Sequence, residues 1–227
     1  MVPVSWADEE LFGTVVLAAK LGRARAIVDG LGARYEQDMD DPLAALRYAL
    51  AMIAVLQAAG DDAEKHAGYS EVIQALSDLL DGSPDHWLGR YLRVRLRTMA
   101  PRSYSHYQNF IAHERARAVA DVAELIDRQS RSAWLPWFAC PYLLAARLAW
   151  DATDRDPDRA AALVAAAAAR PGEPVPFRSL GAIMCEAFVW YHDQPDPPER
   201  AAVGQLMRRL FPDQPSVLAA LDRGRAR

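Results

Sequence analysis

Cysteine is nearly absent from this 227-residue chain: Cys140 and Cys185 are the only two. That is too few for a disulfide framework, and their spacing matches no metal-binding motif, so they read as small buried apolar residues. Lysine is almost as scarce. Lys20 and Lys65 are the only lysines among 26 basic residues, a bias that with the alanine-rich runs reads as genomic composition rather than function. No apolar run approaches the ~18 residues that span a bilayer, so no membrane association is expected. The longest bland stretch, Ala160 to Ala169, is broken only by Leu163 and Val164 and reads as a helix packed closely on its neighbours. Met1 to Glu10 has no basic residue followed by an apolar stretch, which points away from a secretory signal and makes the cytoplasm the expected location. Gly22, Gly30 and Gly32 follow no strand and so form no phosphate-cradling loop. The chain lacks HExxH, CxxC and Glu-x-x-His, so neither a metal nor another cofactor is expected.

What is present is an ordinary globular balance, 52% hydrophobic and 25% charged, in a chain long enough for one core or one continuous ladder. No long linker divides it, so residues 1–227 are expected to form a single domain. The formal net charge of −4 is unevenly spread. Residues 1–83 carry 14 acidic against 6 basic side chains, residues 84–131 carry 5 against 9, and the remainder is balanced. The acidic total disfavours bulk nucleic-acid binding, while the basic middle leaves a local stripe to be explained.

Helical spacing is pervasive. Tyr69, Val72, Ile73, Leu76, Leu79 and Leu80 fall on one helical face, as do Leu180, Ile183, Met184, Ala187, Phe188 and Tyr191. Val203, Leu206, Met207, Leu210 and Phe211 make a third stripe, and Leu43, Leu46, Leu50 and Ile53 a narrower one. No segment alternates with period two for long, and the alanine content also argues against strands. Breaks such as Asp41-Pro42, Gly60-Asp61-Asp62 and Asp81-Gly82-Ser83-Pro84 supply stops and caps. The pattern predicts helices over 6–20, 22–38, 42–59, 62–81, 84–100, 106–131, 136–152, 157–170, 175–192, 197–211 and 215–225, with a start or kink at Pro141. Leu21, Asp61, His106, Asp156 and Pro197 each lie near the start of the second helix of a pair, at intervals of about 40 to 50 residues, the mark of stacked helical hairpins.

The pairs resemble tetratricopeptide repeats. In the C-terminal unit Phe177, Leu180, Gly181 and Met184 stand where that family places a large residue, Leu, Gly and an aromatic. Glu199-Arg200-Ala201-Ala202 through Leu206 to Pro212 resembles its second helix, and Ala160, Val164, Ala167 and Pro171 repeat that pattern one unit earlier. The units are longer than the family's ~34 residues. Trp87 is followed by Arg90 and Tyr91 rather than by the Leu-Gly pair, and the N-terminal units match by helix pattern alone. The resemblance implies an all-α, right-handed α-solenoid of about five TPR-like hairpins with a C-terminal capping helix near Val217 to Leu221. It further implies a concave groove that holds a protein or peptide partner, and no catalytic residues.

Candidate site residues follow from charge and aromatic spacing. Arg90, Arg93 and Arg97 share a helical face, with Arg95 and Arg102 nearby. Such a face can grip an acidic segment or a C-terminal carboxylate through forked hydrogen bonds; it can equally pair within the chain, for which the acidic N-terminal segment offers partners. Trp87, Tyr104 and Tyr107 would add contact area, whereas Trp134, Trp137, Phe138 and Tyr142 read mainly as core between hairpins. Glu36, Asp38, Asp40 and Asp41 resemble a Mg²⁺-binding cluster, but an acid before Pro42 serves as a helix cap. Ser103, Ser105 and His106 form no nucleophile elbow. The function expected is a non-catalytic scaffold or adaptor. The alternative is a helical enzyme or accessory subunit with a small-ligand pocket lined by His106, His113 or Glu186. A solenoid with an exposed terminal face also leaves a homodimer open.

Overall fold

The computed structural model describes residues 4–59, 62–98, 108–131, 133–151, 155–170 and 172–225. Among them are eleven α-helices and no strand: α1 Trp6–Lys20, α2 Ala24–Gln37, α3 Pro42–Ala58, α4 Asp62–Gly82, α5 Trp87–Thr98, α6 Gln108–Ser130, α7 Cys140–Trp150, α8 Pro157–Ala168, α9 Ser179–His192, α10 Arg200–Leu210 and α11 Pro215–Arg225. The chain is thus all-α, helix for helix as the spacing predicts. It divides into two compact units, Met1–Asp121 and Val122–Arg227, with the boundary inside α6.

Local chemistry explains the ends. The Ser5 hydroxyl caps α1 at the Asp8 N–H, Asp41 caps α3 at the Leu43 N–H (2.9 Å), and Asp156 caps α8 at the Arg159 N–H (2.9 Å). Pro42 and Pro157 follow their caps in the first turn, where a missing N–H costs nothing. Helix α1 stops at Gly22, whose φ of 68° lets Gly22 and Arg23 return N–H bonds to Ala19 and Ala18. That stop shortens α2 from the expected start at residue 22 to Ala24.

Two further starts differ from expectation for similar reasons. Residues 84–86 make a turn before α5, because the His86 imidazole, through Nδ1, caps the Gly89 N–H at 3.1 Å. Helix α10 begins at Arg200 rather than 197, since Glu199 takes a left-handed conformation (φ 56°) after Pro197-Pro198. Before α9 the chain runs extended, and the Val175 N–H bonds the Leu210 carbonyl at 2.6 Å. Of the two expectations at Pro141 the start holds to within one residue: α7 begins at Cys140 with Pro141 in its first turn, directly after a 3₁₀ turn, Pro136–Ala139.

In the first unit α3 is the central helix, packed on α1, α2 and α4, with α4 also on α5. Its alanines (Ala44, Ala45, Ala49, Ala51 and Ala54) are buried alongside Leu46, Leu50 and Ile53, so its buried face is far wider than the leucine stripe suggests. Small side chains let three neighbours approach one helix. Leu43 is the correction: it is exposed, outside that core. In α4, Tyr69, Val72, Leu76, Leu79 and Leu80 are buried as expected.

In the second unit α7 packs on α8 and α9, α8 on α10, and α9 on α10 and α11. Ala160, Val164 and Ala167 form the fully buried stripe of α8. Phe177, Leu180 and Met184 are buried at the start of α9. A Cβ at Gly181 would lie 2.9 Å from the Gln214 side-chain nitrogen, so glycine admits that residue's bond to the Arg178 carbonyl. Among the described residues no helix is long and apolar enough to cross a membrane.

Candidate functional site

The arginine stripe of α5 is brought together by the helix, but it faces α6. Arg93 grips Asp121 with both carboxylate oxygens engaged, at 3.0 and 2.8 Å. Arg97 bonds the same carboxylate and also reaches Glu114 at 3.2 Å; Arg90 lies 3.5 Å from Asp121 and donates to the Pro84 carbonyl. Glu114 further accepts from Tyr69 of α4 and from Arg117. Arg93 also donates to Ser77 of α4. Glu114 and Asp121 are seven apart on α6, so they match the spacing of the stripe they neutralise. All five charged side chains are at most 14% exposed. In so dry a setting each carboxylate is required by the guanidinium groups around it, because an unpaired buried charge is strongly destabilising.

The acid partners in this network come from α6, not from the acidic N-terminal segment. Trp87, on the same helix, is 1% exposed and stacks on Tyr91 with ring centroids 5.1 Å apart. Its area is spent inside the core. Arg102, Tyr104 and Tyr107 lie outside the described residues, as do Ser103, Ser105 and His106.

The other candidates scatter. His113 is exposed and Glu186 half-buried. Trp137, Phe138 and Tyr142 are buried, as expected of core aromatics, and Trp134 sits edge-on to Phe138 under the Arg170 guanidinium. Cys140 and Cys185 are free and buried, and burial pushes the Cys140 thiol well up. Asp41 is committed to capping α3. Among the described residues no group of three or more His, Cys, Asp and Glu side chains is placed to hold a metal ion.

The first unit has a cleft of about 330 Å³ between α2, α3 and α4. Val28, Met52, Val55 and Leu56 supply its apolar surface; Arg25, Asp29, Glu36, Tyr48 and Glu71 supply polar groups. Two walls are glycine. A Cβ at Gly32 would lie 3.1 Å from the Tyr48 ring, and one at Gly68 would lie 2.7 Å from Leu56 Cδ2 and 3.1 Å from Met52 Cε. Side chains at either place would press on the residues that shape the cavity.

Tyr48 anchors the polar side. Its hydroxyl donates to Glu71 at 3.0 Å, and its ring stacks on Tyr35 at 5.4 Å. Burial pushes the Tyr48 phenol up to about 12, helped by the bond to Glu71 and by the charges of Glu71 and Glu36, with Arg25 opposing. Tyr35, likewise raised by burial, donates to Asp78, which also accepts from Gln74 at 2.7 Å. The two tyrosines therefore stay protonated donors that fix acids of α4 against α2 and α3.

These cleft residues spread from Arg25 to Glu71 over three helices in no recognisable motif, and the sequence pattern missed them as a site. The one available signal was the pair of glycines interrupting helical patterns, Gly32 and Gly68, each marking a close approach. No family model, curated protein or solved structure matches the chain.

Proposed function

We propose that this chain is a non-catalytic binding module, a TPR-like stack of helical hairpins that holds a protein or peptide segment. The α2–α4 cleft carries the proposal. Three successive helices form it, its surface joins an apolar floor to a charged mouth, and the tyrosines that frame it are locked by neighbouring acids. Within each unit the packing of successive helices, including α2 on α3, α3 on α4, α7 on α8 and α9 on α10, supports a hairpin-based build. The Arg90, Arg93 and Arg97 groups are engaged by Asp121 and Glu114, so the cleft is the better binding site.

The alternative, an enzyme or accessory subunit burying a small ligand, would have His106, His113 or Glu186 at the cavity, and His106 lies outside the described residues. Of the other two, neither His113 nor Glu186 lines the cleft. A photo-crosslinking residue placed at Ala33, on the cleft, tests the module. It is expected to capture one discrete protein, identified by mass spectrometry, that the same group at exposed Ala162 on α8 does not. Identical or absent capture at the two positions would reject this binding site.

A further inference from the structure

We propose that the α2–α4 cleft binds a basic peptide segment, laying the aliphatic stem of an arginine or lysine along Val28, Met52 and Leu56 with its cationic head at Glu36 and Glu71. This rests on the reading of the chain as a peptide-binding module and assigns the chemistry of its partner.

Charge complementarity points to this occupant. Among the described side chains, three carboxylates, Asp29, Glu36 and Glu71, line the cleft against one guanidinium, Arg25. Arg25 and Asp29 lie one helical turn apart with a 3.5 Å contact, so they neutralise each other at the mouth. Of the described carboxylates this leaves Glu36 and Glu71, both close enough to the Tyr48 phenol to help hold its proton on. Glu71 accepts that phenol's bond at Oε2, and a carboxylate has capacity for further donors. An acidic peptide would meet repulsion there.

The apolar floor narrows the cation's identity. Val28 and Met52 are buried beneath the cleft, and Val55 and Leu56 are half-buried. A hydrated metal ion gains nothing from such a surface. Arginine and lysine join an apolar stem to a charged head, and gain from burying the first while keeping the second at carboxylates and water. Gly32 and Gly68 contribute no side chain of their own to the cavity. The sign of the partner is thus opposite to the one the arginine stripe implies from sequence.

The test is binding of a fluorescein-labelled nonapeptide of alternating leucine and arginine, measured by anisotropy on the full chain. A glutamate-for-arginine version, free agmatine and millimolar Mg²⁺ serve as the other arms. The arginine peptide is expected to bind, weakening as salt rises. The Glu36→Gln/Glu71→Gln variant, whose exposed amides preserve size and whose residue 71 still accepts from Tyr48, is expected to bind at least ten-fold more weakly at unchanged melting temperature. Gly68→Leu, which sets a side chain against Leu56 and Met52 at the cavity wall, is expected to reduce binding as well. Equal binding of both peptides, or an unaffected double variant, overturns the proposal. Agmatine matching the peptide would replace the peptide by a small amine, and competition by Mg²⁺ would replace it by a metal ion. If the peptide fails while the crosslinker at Ala33 still captures its protein, the ligand class falls and the binding module stands; if both fail, both fall.

Discussion

Two regions of the first unit are rich in charge and use it in opposite ways. Between α5 and α6, the Arg90, Arg93 and Arg97 side chains meet Glu114 and Asp121 in a buried network that also holds Tyr69 and Ser77 of α4. At the α2–α4 cleft, Arg25 and Asp29 are 77% and 64% exposed, and Glu36 and Glu71 are exposed beside a hollow lined by Val28, Met52 and Leu56. Charge that faces another helix is satisfied by that helix and ties elements together. Charge at the mouth of a cleft is solvated, adds little to stability, and remains available to a partner. The denser cluster is therefore the one whose charges are already paired within the protein.

The sharpest way to break this contrast is to remove the carboxylate that several guanidinium groups share. Asp121→Ala leaves Arg93 and Arg97 without their main partner at low exposure, and is expected to cost about 3–5 kcal/mol in urea unfolding. A loss near zero, with altered peptide binding, would mean that the α5 stripe is a surface after all.

A pH series sharpens the contrast at the start of α5. Burial lowers the pKa of His86 below 6.5, with the nearby Asp8 opposing, and the neutral Nδ1 accepts the Gly89 N–H. Because the folded state binds this proton less readily than the unfolded chain, the contribution is complete above about pH 6.5 and is lost as pH falls through the window below it. Wild type is expected to lose more stability between pH 7.5 and pH 5.5 than His86→Asn, since asparagine caps without titrating. Equal losses in the two proteins would remove His86 as the titrating cap.

The smallest effect belongs to the cleft. Arg25→Ala breaks an exposed pair one turn apart and is expected to change stability by less than about 0.5 kcal/mol. The same change leaves Asp29 without its counter-charge and is expected to tighten binding of the arginine peptide in anisotropy. Weaker binding would show that Arg25 itself contacts the partner.

Much of the fold was legible because helices are local. Stripes such as Val203, Leu206, Met207 and Leu210 and caps such as Asp41-Pro42 depend on neighbours within a few residues, and they place the helices to within a few positions. The errors fall where something non-local or conformationally unusual intervenes: Glu199 in a left-handed turn, and Leu43, exposed in the first turn of a helix whose middle is buried. The candidate site was much less legible. Trp87 and the arginines have the composition of a partner surface, yet Trp87 lies against Tyr91 and the arginines against α6. The cleft residues carry no motif, because Val28, Met52 and Glu71 come together only through the packing of three helices.

By itself, the order of residues determined that this chain is helical, where its helices lie to within a few positions, and most of each apolar face, since these are settled largely by contacts one or two turns away. Tertiary structure alone decided which charges are spent and which are available. A guanidinium's role is set by the carboxylate that packing brings within about 3 Å, a distance that holds no fixed relation to separation along the chain.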